Sequence, residues 1–138
     1  QRQVYENPDW TPAERKAAWR QLEAEFRPHI TFDGIPYLEE GTRWQYQMHI
    51  YETPFYYIDY CLAQTAALQF LLASRKDYDD AFHRYVCFLS QGGEKVFTEL
   101  LQEAGLRSPF QEGALQTVAQ ESEALLNELE RALSQETK

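Results

Sequence analysis

The sequence predicts an all-α fold, a compact bundle of about five to six helices. Three observations lead there. Apolar residues recur at helical spacing in nearly every segment, capping signals stand where the periodic runs begin, and glycine and proline fall in the short stretches between them.

The elements follow in order. Thr11-Pro12-Ala13-Glu14 is a capping box with proline at the first helical position. The helix after it carries Trp19, Leu22 and Phe26 at i, i+3 and i+7 and stops before Pro28. Residues 28–42, with Pro28, Gly34, Pro36 and Gly41, read as a surface loop. A short helix is expected over Thr42 to Tyr51. Thr53-Pro54 then caps a longer one running to Arg75, whose Leu62, Ala66, Leu68, Leu72 and Ala73 imply burial on more than one face.

Asp77 begins the next helix, with Ala81, Phe82, Tyr85, Val86 and Leu89 expected inward and Gly92-Gly93 at its end. Residues 94–104 form a further helix closed by Gly105. The last runs from Gly113 to Ser134, with Leu115, Val118, Leu125, Leu126, Leu129 and Leu133 along one stripe. No repeat or internal linker interrupts residues 1–138, so a single domain is expected. Gln1 to Glu6 reads like the tail of a helix begun upstream, so the sequence is expected to be a portion of something longer.

Composition narrows the function. A formal charge of -9 argues against a phosphate-backbone binder, so no nucleic-acid partner is expected. No apolar run approaches the roughly 18 residues that span a bilayer, and a cytoplasmic protein without a membrane partner is expected. Cys61 and Cys87 each sit inside a helical pattern and are expected as buried free thiols. Their spacing matches no zinc motif.

The richest stretch runs from His49 to Gln64, where one histidine and Tyr51, Tyr56, Tyr57 and Tyr60 surround Thr53-Pro54. On a helix, Tyr57 and Tyr60 share a face, as do Tyr56 and Tyr60. A phenol stays protonated at neutral pH and donates a hydrogen bond, the chemistry needed at a developing negative charge. From pattern alone these tyrosines read more readily as large core residues whose hydroxyls reach a carbonyl or water. His49 reads as a ligand, a general acid or a donor, or as a satisfied histidine without a role. His29 and His83 have no companions at metal spacing, and there is no His-Glu-x-x-His. Gly92-Gly93 is either a helix C-cap or a flexible backbone surface against which a peptide lies.

Two segments, Trp44-Gln45-Tyr46-Gln47-Met48-His49-Ile50-Tyr51 and Pro54-Phe55-Tyr56-Tyr57-Ile58-Asp59-Tyr60, closely resemble oligoendopeptidase F of the thimet-type zinc metallopeptidases. Val4-Tyr5-Glu6-Asn7-Pro8, Gly92-Gly93, Ala104-Gly105-Leu106 and Pro109-Phe110 extend the resemblance over nearly the whole chain in the same order. It implies the C-terminal part of a mostly helical catalytic domain that hydrolyses short peptides in a deep channel.

Carried over by position, His49, Tyr57 and Tyr60 are the catalytic candidates, contacting substrate and the tetrahedral oxyanion. Tyr51, Tyr56, Gly92 and Gly93 are the substrate-binding candidates. The family's zinc-binding His-Glu-x-x-His and downstream glutamate have no counterpart here. No metal ligand is therefore assigned. Zinc is expected in the complete enzyme and not on this chain alone, which is expected to be inactive and to need the upstream metal-binding part as partner. Surfaces meant for that part should drive self-association of the isolated chain. The alternative is a non-catalytic helical module that binds a peptide or protein and retains the family fold.

Overall fold

The computed structural model describes residues 1–136, and every regular element among them is helical. The chain divides into two compact units, Gln1–Ile58 and a second beginning at Asp59.

In the first unit, α1 spans Arg2–Glu6 and α2 spans Pro12–Phe26. The predicted capping box forms: the Thr11 hydroxyl accepts from the Glu14 N–H at 3.3 Å, and the Glu14 carboxylate accepts from the Thr11 N–H at 2.7 Å. Helix α2 ends with the Arg27 N–H on the Glu23 carbonyl, as Pro28 requires. Trp19 and Leu22 line a cavity of about 240 Å³, whereas Phe26, expected on the buried stripe, is exposed.

The stretch read as a loop contains α3, Pro36–Glu39, again with proline in its first turn. Gly41 follows at φ +81°, pressed so close under α2 that a Cβ there would collide with the Lys16 carbonyl oxygen and lie 2.7 Å from the Arg20 Cγ. Lys16 and Glu40 form a 2.6 Å ion pair beside this contact. Thr42 is buried, its hydroxyl donating to the Tyr37 carbonyl. The helix expected over residues 42–51 is two pieces, a 3₁₀ turn Arg43–Tyr46 and α4, Met48–Glu52.

The second unit holds most of α5 (Ile58–Lys76), then α6 (Tyr78–Ser90), α7 (Phe97–Glu103) and α8 (Ala114–Glu136). Its core is Ala66 and Phe70 from α5 with Leu101, Ala104 and Leu106, against which Phe88 and Phe97 pack. Phe70 meets the Phe88 and Tyr85 rings edge-on at 5.6 and 5.2 Å. Helix α7 closes in a Schellman motif around Gly105 (φ +67°), with Leu106 N–H on the Leu101 carbonyl and Gly105 N–H on that of Gln102. Leu101 and Leu106, the hydrophobic pair of this motif, sit in the core. The Gln69 amide pairs with both backbone groups of Arg107 at 2.8 and 3.0 Å, fixing the following loop on α5.

Several expectations about this unit are corrected. On α6 only Ala81 is fully buried, while Phe82, Tyr85, Val86 and Leu89 are exposed, because Ala81 and Phe88 carry the packing. Of the stripe expected on α8 only Val118 is buried, with Leu125 partly covered, while Leu115, Leu126, Leu129 and Leu133 are exposed; Ala114, outside that stripe, is buried beside it. The helix is longer than the core it packs on. Cys61 and Cys87 are free thiols, as expected, but both are exposed rather than buried.

Candidate active site

The segment from α4 to α5 takes its shape from one turn. Thr53-Pro54 does not cap α5, which begins four residues after Pro54, at Ile58. Instead Tyr56 N–H reaches back to the Thr53 carbonyl at 3.1 Å, and Phe55 stands at φ +65°. This is the pattern of a type II β-turn, with proline at its second position and a residue of positive φ at its third. Glycine or asparagine usually fills that third place. A phenylalanine held there costs about 1–3 kcal/mol, so surrounding contacts must stabilise it.

Those contacts come from Gln1 and from Tyr5 of α1. The Gln1 carboxamide donates to the Ile50 carbonyl at 3.1 Å and accepts from the Phe55 N–H at 2.8 Å. The Tyr5 ring lies 5.2 Å from that of Phe55.

Tyr56 and Tyr57 therefore lie in the turn and not on the helix, so the shared helical face predicted for Tyr57 and Tyr60 does not arise from α5. What the turn does is bring both rings to His49. The Tyr57 ring meets the imidazole edge-on at 5.0 Å and 82°, and the Tyr56 ring lies nearly parallel to it at 6.1 Å and 18°. The imidazole is partly buried between them, and each tyrosine remains about half exposed. The two phenol rings and the imidazole thus form one partly exposed group, and a phenol O–H or an imidazole N–H is the kind of donor that suits a carbonyl or oxyanion.

Tyr51 is drawn elsewhere. Its ring stacks on Trp44 at 6.3 Å and lines the cavity that Trp10, Trp19 and Tyr5 also border. Tyr60 belongs to the second unit, exposed on the first turn of α5. Gly92 and Gly93 lie in the turn after α6, with Gly93 at φ +84° and open space where its Cβ would be. Sequence reasoning missed Gln1 and the special backbone of Phe55. Only the Thr-Pro-Phe-Tyr tetrad carried a signal, since proline suits the second place of a turn as well as the start of a helix.

Among the described residues no three or more His, Cys, Asp or Glu side chains are grouped to hold a metal ion. No helix among them is long and apolar enough to cross a membrane.

Solved structures define the class. An enzyme assigned as oligoendopeptidase F is 47% identical to this chain, with a TM-score of 0.82, over 91% of this chain and 22% of its own. PZ peptidase A, solved with an inhibitor, is 52% identical, with a TM-score of 0.82 over the same shares. A protein from Bacillus anthracis str. Ames, also assigned as oligoendopeptidase F, is 42% identical, with a TM-score of 0.67 over 92% of this chain and 19% of its own. The class is a helical peptidase segment, spanning about a fifth of those structures. Peptidase family M3, a metallopeptidase family, matches residues 1–120, and the chain belongs to it. No curated protein matches the chain.

Proposed function

We propose that this chain is the C-terminal segment of the catalytic domain of a zinc oligoendopeptidase acting on short peptides. In this reading the zinc and the water it activates belong to an upstream part of the same enzyme. This chain contributes a wall of the substrate channel and hydrogen-bond donors for the transition state. The observation that carries the reading is the edge-on packing of Tyr57 on His49 at 5.0 Å, in a group left open to solvent.

His49, Tyr57 and Tyr60 are the donors. As a scissile carbonyl becomes tetrahedral its oxygen gains negative charge, and a fixed O–H or N–H aimed at it stabilises that charge more than the ground-state carbonyl. Each such donor lowers the barrier by about 2.7–4 kcal/mol. Packing against Tyr56 and Tyr57 limits the freedom of the imidazole, so little ordering remains to be done when the charge develops. In this reading Tyr51, Tyr56, Gly92 and Gly93 are substrate-binding residues that line the peptide channel.

The test is hydrolysis of an internally quenched peptide of about ten residues. The chain is assayed alone, with added zinc, and grafted in place of the matching segment of PZ peptidase A. That substitution is reasonable because core substitutions are tolerated when volume and pattern are kept. No turnover by the chain in either condition, and activity in the graft, are expected. Chelator-sensitive turnover by the chain alone would show that it holds a complete metal site and would refute the division of labour.

A further inference from the structure

We propose that Gln1 is a positioning residue for the His49–Tyr57 group, the latch that holds the Thr53–Tyr56 turn in its strained form. The inference rests on the reading above for its functional meaning, but not for its structural content.

The Gln1 side chain makes no hydrogen bond to the helix α1 that follows it. Its backbone carbonyl alone receives the Val4 and Tyr5 N–H groups at 2.9 and 3.1 Å. The carboxamide is left for the turn and uses both halves there. Its N–H goes to the Ile50 carbonyl on α4, and its oxygen takes the N–H of Phe55. A primary amide offers a donor and an acceptor side by side without ionising, and only this orientation of it makes both bonds.

The two atoms it joins belong to residues on either side of Thr53-Pro54, so the amide closes the turn across its open side. Tyr5, one helical turn along α1 from Gln1, adds its ring to that of Phe55 at 5.2 Å. Phe55 is the described non-glycine residue with positive φ, the place where the turn would relax first. Relaxation there would rotate the next two residues, Tyr56 and Tyr57, away from the His49 ring they pack on. Gln1 thus acts on the aromatic group through the backbone of Phe55.

The experiment compares the chain with Gln1→Met and Gln1→Glu by amide hydrogen exchange and by the proton shifts of the His49 ring, which report the neighbouring tyrosine rings. Met matches the glutamine in length and makes neither bond, while an ionised Glu keeps only the acceptor for Phe55. In Gln1→Met, Phe55 N–H exchange should quicken on the order of tenfold. The His49 ring signals should move toward those of a free imidazole, and amide protection around Leu101 should stay unchanged. In Gln1→Glu the Phe55 amide should keep its protection. The proposal is overturned if Gln1→Met leaves Phe55 exchange and the His49 shifts as in the parent. It is equally overturned if Gln1→Glu loses Phe55 protection to the same extent as Gln1→Met. Neither readout involves peptide, metal or turnover, so failure here is separable from failure of the proposed function.

Discussion

The imidazole of His49 receives the ring of Tyr57 edge-on at 5.0 Å, although His49 belongs to α4 and Tyr57 to the turn that follows it. The proximity comes from the reversal at Pro54-Phe55, not from helical periodicity. Any change that lets the turn open should loosen this pair while leaving α5 itself intact.

The second unit depends on Leu101, which is wholly buried at the centre of its core. Leu101→Ala removes that packing and the hydrophobic half of the Schellman motif with Leu106. A loss of about 2–5 kcal/mol is expected, read from urea denaturation followed by circular dichroism.

Gly41 tests the first unit. At φ +81°, with the Lys16 carbonyl oxygen and the Arg20 Cγ where a Cβ would go, it leaves no room for a side chain. Gly41→Ala should combine a conformational cost of about 1–2 kcal/mol with about 1–3 kcal/mol of overpacking. An equally large loss at Gly34, whose Cβ position meets nothing within 4 Å, would argue that conformation alone decides.

Acid should weaken the first unit through two exposed glutamates. The Thr11 hydroxyl and N–H hold the Glu14 carboxyl below its ordinary range, and Lys16 does the same for Glu40 by its hydrogen bond and charge. A carboxyl lowered in the folded state binds fewer protons than in the unfolded chain. Its contribution is therefore present above the ordinary value of about 4.3 and is lost as pH falls through the lowered folded value. Melting temperatures taken between about pH 5 and pH 3 should fall, and Lys16→Met should flatten part of that fall. Solvent exposure keeps both effects small.

The isolated chain should self-associate. Tyr78, Phe82, Val86 and Leu89 stand exposed on α6, and an apolar surface of this kind favours association. Sedimentation should detect a dimer or larger species, and a clean monomer at high concentration would contradict the expectation.

Much of the fold was legible because its signals are local. Thr11 to Glu14 marks a helix start by side chains that bond within three residues, and Gly105 marks an end by needing positive φ. Thr53-Pro54 misled for the same reason: proline suits both a helix start and a β-turn, and Phe55 decides between them only when Gln1, 54 positions away, holds its N–H. The exposed sides of α6 and α8 were also illegible. Apolar periodicity shows which residues would share a buried face, not whether anything covers it. For the site, the sequence resemblance pointed to His49, Tyr57 and Tyr60 as the catalytic group and placed Tyr56 among the substrate contacts, whereas the packing of Tyr56 and Tyr57 on His49 comes from a backbone turn that no helical spacing encodes.

The most direct measurement is the effect of Tyr57→Phe on peptide hydrolysis by the PZ peptidase A graft. If Tyr57 donates to the transition-state oxyanion, kcat should fall by roughly 10²–10³-fold with KM little changed, because the lost bond matters most in the transition state. An unchanged kcat in a folded, zinc-loaded graft would contradict the oxyanion role, leaving Tyr57 as a packing partner of His49 and no more.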